Sequence, residues 1–376
     1  MTASARWVTS LDGLRALGPR YDAMVLDSGD AGIFYELGWL ERAWPYYASR
    51  LGGTLAFLVV ERGGEPVALA PLVLSKKSWI RARQRVLGFL GGTWDEIDNW
   101  MPGFLFRSHD AAEQRAAMDV MASAIAESGW DLLDLRLLRD TDPGRDVLQA
   151  RFPALRSVPD RLTTPRVRFD AGWAAYWNGR GKRLTRILDR GRRRAAEDGV
   201  ELAHEVTSDV PAARRAGVAA IHRARQERVR ASGRARNSPF DRPDAERTFW
   251  SLVDWAAAQG RLRMHWLRLG DRIAAYVIVL HHAGTSFAWF NAIDPAAERY
   301  HPGSLVLAGL IEREAKDHGA TVIDLMVGAN VTKSLFATGE IAHWQLSAVN
   351  PREPGAAAKD AWIRALRRIR RWPGRG

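Results

Sequence analysis

Two short stretches hold the residue types that bind anions and steady developing negative charge. In Tyr300-His301-Pro302-Gly303-Ser304, a proline and a glycine stand where an apolar run ending near Asp294 gives way to helical spacing. Proline suits a first helical turn, and glycine lets a ligand approach the backbone closely. Free amides at a helix N-terminus attract anions, and the helix dipole adds to the pull. A phosphate site at His301, Pro302, Gly303 and Ser304 is the resulting expectation, although many helices start this way with nothing bound. In Val322–Phe336, a strand ends at Asp324-Leu325, Gly328 follows, and Lys333 lies in a short polar stretch. A lysine past a strand's carboxyl end can neutralise an oxyanion or a phosphate. The plainer alternative is an ordinary surface lysine.

Charge extends the theme. A formal net charge of +12 over 376 residues favours anionic partners such as coenzyme A, nucleic acid or lipid head groups. Lys182, Arg183, Arg186, Arg190, Arg193 and Arg194 recur at spacings of three and four, opposite Leu184, Ile187, Leu188 and Ala195. That stripe reads either as a solvated face or as a wall for a polyanion. A second basic helix, Ala356–Trp372, carries Trp362, Ile363, Leu366 and Ile369 on one side. It suits packing on the protein or lying on an anionic membrane.

Several chemistries are excluded. With no cysteine there is no disulfide, thiolate nucleophile or Cys-ligated metal. There is no Gly-x-Ser-x-Gly elbow, no Walker lysine motif and no Gly-x-Gly-x-x-Gly. His281 and His282 adjoin on an expected strand and point to opposite faces, so no metal is expected. The N-terminus lacks an apolar stretch of signal length, and runs such as Ala274–Leu280 fall short of the roughly 20 residues that cross a bilayer. The expectation is a soluble, cytoplasmic protein.

Strand and helix patterns alternate throughout, giving an α/β (α+β) class. Leu55–Val60, a Gly63-Gly64 turn and Pro66–Leu74 read as a hairpin. Ala111–Glu127 has helical spacing and Asp131–Leu138 alternates like a strand. The same order returns in Arg263–Leu269, Ile273–Leu280, Ser286–Ile293, a helix from Pro302 to near Gly319, and Val322–Met326. This predicts a tandem duplication of two lobes, each a mixed, mostly antiparallel sheet flanked by helices. The expected division is 1–160, 161–352 and a basic C-terminal helix, 353–376. Phe152–Pro165 reads as the linker, Ala171–Asp198 as one long helix, and Ser232–Pro243 as a mobile loop or lid.

Gly270–Phe336 resembles the C-terminal half of the CelD-like acetyltransferases, a branch of the GNAT superfamily related to the FemABX aminoacyl transferases. The resemblance is carried by Tyr300, Pro302, Gly303, Asp324, Gly328 and Lys333, with Phe336 following. Within the first lobe "IFYELGWLERAW" and "LGFLGGTWDEIDNW" are similar too, as is "YWNGRGKRLTRILDRGRRRAAEDGVEL" opening the second. It implies a tandem GNAT fold and acyl transfer from acyl-CoA to an amine or hydroxyl of a small molecule or saccharide. An aminoacyl-tRNA donor is the alternative, and a non-catalytic binding protein the third. The usual GNAT pyrophosphate signature, Gln/Arg-x-x-Gly-x-Gly/Ala, is absent, and His301–Ser304 takes its place in the order. On this reading Asp324 is the base, Lys333 steadies charge and Tyr300 protonates the leaving thiolate. Arg183 and Arg186 join the loop in holding the donor, while Asn291, Asp95 and Asp98 contact the acceptor.

Overall fold

A computed structural model describes residues 2–29, 32–79, 82–91, 102–231, 233 and 238–362. The chain divides into two compact units. Unit 1 is Met1–Thr93, Trp100–Arg161 and Ala342–Gly376; unit 2 is Trp94–Asn99 and Leu162–Ile341.

Unit 1 opens with β1 (Ala3–Val8), α1 (Leu11–Arg15), α2 (Pro19–Asp27) and α3 (Leu37–Leu51). A meander of β2 (Thr54–Arg62), β3 (Glu65–Trp79) and β4 (Ala82–Phe89) comes next, then the short β5 (Leu105–Phe106). After these come α4 (Ala111–Glu127), β6 (Leu132–Arg139) and α5 (Gly144–Arg151). The strand β7 (Arg156–Arg168) leads into unit 2, with α6 (Gly172–Asn178), α7 (Lys182–Glu197), β8 (Leu202–Thr207), α8 (Ala212–Ala231) and α9 (Pro243–Ala258). Then follow β9 (Leu262–Leu269), β10 (Arg272–His282), β11 (Thr285–Ile293), α10 (Pro302–Lys316), β12 (Val322–Asp324) and α11 (Val331–Phe336). The last strand, β13 (Gly339–Val349), returns to unit 1 from Ala342 onward.

The strands of the two units have the same plan. In unit 1 the order is β1-β2-β3-β4-β6-β13, antiparallel except for the parallel pair β4–β6. In unit 2 it is β8-β9-β10-β11-β12-β7, antiparallel except for the parallel pair β11–β12. In each unit the second member of the parallel pair is also paired antiparallel, β6 with β13 and β12 with β7. The turn chemistry explains the hairpins. Gly63 and Gly64 both take positive φ (63° and 83°), which fits a tight turn between right-twisted strands.

Three expectations need correction. The stretch read as a linker forms most of β7, and Thr164 and Val167 in it are fully buried. Its prolines suggested a linker, yet Pro165 needs no N–H there; its carbonyl accepts from the Leu325 amide at 3.0 Å. The long helix is two, α6 and α7, interrupted around Gly179 and Gly181, residues that favour irregular backbone over helix. Of the expected lid, residues 238–243 are packed: Ser238 is buried against His222 (2.8 Å), and Phe240 lies among Phe249, Trp250 and Phe290. The remainder, residue 233 aside, lies outside the described residues. Among the described residues Trp39, Trp130, Trp266 and Trp289 are almost wholly buried.

At the C-terminus, helix begins at 356 with Ala356 buried and Lys359 bonded to Asp131 (3.1 Å), packing it within unit 1. The amphipathic part beyond 362, with Ile363, Leu366 and Ile369, lies outside the described residues.

Candidate functional site

The site in unit 2 begins with a divergence. Strand β11 pairs with β12 over only three positions, Thr285–Phe287 against Val322–Asp324. Beyond them β11 continues to Ile293 along β10, whose register shifts between Ile278 and Leu280. Strand β12 stops at Asp324, because the chain turns there. The Asp324 Oδ1 accepts from the Met326 amide (2.8 Å), and Met326 adopts the left-handed region at φ 61°. Parallel strands that part in this way leave unpaired main chain and room between them.

A cavity of about 370 Å³ occupies that room. Ala288, Asn291, Ala292 and Ile293 of β11 line one side, Tyr276 and Val277 of β10 lie beside them, and Gly303, Val306 and Leu307 of α10 line another. Residues Asn330–Lys333, at the start of α11, form the rim together with Arg225 of α8. Asn330 caps α11 through the Lys333 amide (2.9 Å), which fixes where Lys333 leaves the helix. The Lys333 Nζ donates to the carbonyls of Met326 and Gly328, both at 3.1 Å, so its ammonium is held at the turn where β12 ends. Arg225 donates to the Asn291 carbonyl (3.1 Å). The charged side chains lining the cavity, among the described residues, are both cations, Arg225 and Lys333. An anionic or electron-rich ligand fits such a lining.

The helix start is built for close approach but offers few amides. His301 takes φ 54°, and its carbonyl accepts from both Ser304 (3.0 Å) and Leu305 (3.1 Å). Pro302 has no N–H, so Gly303 supplies the amide nearest the cavity. A Cβ on Gly303 would lie 2.6 Å from Ile293 Cδ1, so only glycine fits without movement. Ser304 is buried. The His301 ring nitrogen Nε2 is shielded and has no partner among the described residues. Burial, with Arg194 and Arg190 nearby, lowers the pKa of His301.

Two expected catalytic groups have other employment. Asp324 is fully buried, and its Oδ2 accepts from Arg166 Nε at 2.8 Å. It therefore ties β12 to β7 and shapes the turn beneath Lys333. The Tyr300 hydroxyl donates to Asp198, which raises its pKa, and this tethers the loop before α10 to the end of α7. Neither side chain lines the cavity. Arg183 and Arg186 are exposed on α7, with Leu184, Leu188, Gly191 and Ala195 facing inward. Asn291 lines the cavity. Asp95 and Asp98 lie outside the described residues.

Sequence reading missed Arg225 and Tyr276. A signal existed for the first: Arg225 falls on the inward stripe of α8 that Val218 and His222 begin, an unusual place for a guanidinium. Tyr276 sits in an apolar run, and nothing marked it.

Among the described residues no cluster of histidine and acidic side chains could hold a metal, and no helix is long and apolar enough to cross a membrane.

Residues 182–334 match the family model described as an acetyltransferase (GNAT) domain. The matched residues lie within unit 2, which therefore carries a GNAT-type acetyltransferase domain. The fold extends further: FemX superposes with a TM-score of 0.59 at 12% identity, over 93% of this chain and 98% of its own. A protein of unknown function from Bacteroides thetaiotaomicron VPI-5482 gives a TM-score of 0.50 at 10% identity, over 91% and 99% of the two chains. A tandem GNAT protein from the clavulanic acid biosynthesis pathway is similar at 0.49 and 14% identity, over 94% and 100%. At these identities the similarity is one of fold. No curated protein matches the sequence.

Proposed function

We propose that unit 2 transfers an acyl group from an acyl-CoA donor to an amine or hydroxyl of a small-molecule or saccharide acceptor. The observation that carries this reading is the divergence of β11 and β12 into a cavity whose charged liners are cations and whose edge holds Gly303 at a helix start. Main chain left unpaired on β11 can bond an extended amide-bearing arm. The Gly303 amide and the α10 dipole favour a phosphate. Acyl transfer forms a bond from the acceptor nitrogen or oxygen to the carbonyl carbon and breaks the carbon–sulfur bond, so charge grows first on the carbonyl oxygen and then on sulfur. On this reading Lys333 and Arg225 supply the compensating positive field. Asp324 and Tyr300 act as positioning residues, the first through the turn that carries Lys333 and the second through the loop before α10. No carboxylate or imidazole lines the cavity among the described residues, so an amine acceptor reacts in its neutral form, having lost its proton to solvent.

Unit 1 repeats the plan, its parallel strands β4 and β6 pairing at Val86–Leu132 and Leu87–Leu133. Its central helix, α4, is capped by Asp110, whose Oδ1 accepts from Ala112 and Glu113 at 3.0 and 2.9 Å. A carboxylate at that helix start repels a phosphate. Where its parallel strands meet, a Cβ on Gly88 would lie 2.8 Å from the Asp134 carbonyl. Donor binding is therefore assigned to unit 2.

A second reading rests on α7. Lys182, Arg183, Arg186 and Arg190 are exposed, and no ion pair holds them among the described residues. Such a face suits the backbone of an aminoacyl-tRNA donor as well as a nucleotide phosphate. Calorimetric titration of the full chain with acetyl-CoA and with uncharged tRNA separates the two. The first reading expects saturable acetyl-CoA binding, weakened at least tenfold in Gly303→Val, whose fold is checked by circular dichroism. Acetyl-CoA affinity unchanged in a folded Gly303→Val protein sinks it. Binding of tRNA alone, falling steeply with salt, establishes the second.

A further inference from the structure

We propose that the C-terminal basic segment is an interfacial anchor that lays the protein on a bilayer containing anionic lipid. This contact does not depend on what unit 2 transfers.

The root of the segment is fixed in unit 1. A helix starts at 356, where Ala356 is buried; Lys359 Nζ donates to Asp131 at 3.1 Å, and Asp360 is buried as well. Those residues mark the side that faces the protein. On the other side Ala357, Ala358, Ala361 and Trp362 are exposed, and the indole leaves 52% of its surface open. At 3.6 residues per turn, Trp362 stands about 120° around the helix from Ala356. The packing that secures the root therefore does not cover the tryptophan.

The sequence carries both sides onward. Leu366 and Ile369 follow Trp362 at steps of four and three, the spacing of a single apolar stripe. Trp372 falls at its flank. Arg364, Arg367, Arg368 and Arg371 take the opposite positions. Residues 363–376 hold six arginines and no acidic residue, so nothing within the stretch offsets the charge.

The two sides together select the partner. An anionic bilayer offers phosphates at its surface and hydrocarbon just beneath, so the guanidinium groups meet the headgroups while the apolar stripe enters the interface. Tryptophan suits that boundary, because its ring is apolar and its N–H stays wet. A nucleic acid would engage the arginines but leave Trp362, Leu366 and Ile369 in water. The contact is with the surface only: among the described residues no helix is long and apolar enough to cross a membrane.

The test is co-sedimentation of the full chain with vesicles of phosphatidylcholine alone and of phosphatidylcholine containing one quarter phosphatidylglycerol. Binding is expected to be at least tenfold tighter to the second kind and to fall as salt is raised. Trp362→Ser and Leu366→Asp should each weaken it at least tenfold. Trp362 is exposed, so its replacement leaves the fold intact, which thermal melting checks. Arg364→Gln, Arg367→Gln, Arg368→Gln and Arg371→Gln combined should remove the preference for the anionic lipid. The proposal is overturned if the chain does not sediment with the anionic vesicles, or binds both kinds equally. It is overturned too if Trp362→Ser and Leu366→Asp bind as well as the parent, since the contact would then be electrostatic alone, through the arginines or the basic face of α7. Salt-sensitive binding of tRNA without any binding of vesicles would assign the arginines to a nucleic acid instead.

Discussion

Lys333 and Asp324 sit at the two ends of one turn, and the structure gives them different work. The ammonium is held by two main-chain carbonyls at the cavity rim, whereas the carboxylate is buried against Arg166. Lys333→Ala should therefore cut turnover at least a hundredfold while the protein stays folded, because the side chain is only partly buried. Steady-state kinetics with a melting curve checks this, and a matching loss of folding would remove its catalytic role. Asp324→Asn removes a buried carboxylate that accepts from the Arg166 guanidinium, which should cost about 1.5–3 kcal/mol. Urea denaturation should register that loss. A variant as stable as the parent but inactive would instead return Asp324 to the role of base. Sequence alone picked out both residues because they follow a strand end. It could not tell them apart, since burial and the Arg166 partner come from β7, a segment distant in sequence that reads as a linker.

At the scale of elements, α7 approaches the loop before α10 closely. Gly191 lies at that contact, where a Cβ would collide with the Tyr300 carbonyl and lie 3.1 Å from Leu305 Cδ1. Alanine is the better helix former by about 1 kcal/mol, but a main-chain oxygen cannot move aside as a flexible side chain would. The clash should win, and Gly191→Ala is expected to lower stability by about 1–3 kcal/mol and to loosen the Tyr300–Asp198 tether. Chemical denaturation decides it; a more stable variant would show that the two elements have slack between them. Hairpins, the central helices and the strand after each were legible from apolar spacing and turn glycines. The break between α6 and α7 was not, because apolar spacing continues across Gly179–Gly181. The short α11 was missed for a similar reason: its six residues carry too little periodicity, and its start is set by the Asn330 cap.

For the whole molecule, acid sensitivity is the measurable consequence of what is buried. His281 and His222 are pushed down to about 3, and His204 and His343 to about 4, in each case first by burial. Glu314 is also fully buried; burial acts to raise its pKa, yet bonds from His265 and Arg263 hold it well below the carboxylate range. The sign follows from which state takes up protons. Each histidine titrates near 6.5 when unfolded and lower when folded, so its contribution is complete above pH 6.5 and declines as pH falls toward 4. Each excluded proton contributes about 1.4 kcal/mol per pH unit over that window. Glu314 acts in the same direction at lower pH, below about 4.5. The melting temperature should therefore drop markedly between pH 7.5 and 5; equal values at the two would refute the burial of these rings.

The sequence by itself determined the class of fold, the duplicated order of elements and the stretch from Tyr300 to Lys333 as the place to look. Those features are local, since they depend on side-chain period, turn glycines and helix starts. Only the tertiary structure decided which groups line the cavity. Asp324 and Tyr300 turned away onto partners remote in the chain, while Arg225 arrived at the cavity from another helix. The cavity itself exists because two parallel strands pair over three positions and then part. Pairing length and divergence arise between strands distant in the chain, and no periodicity within β11 or β12 encodes them.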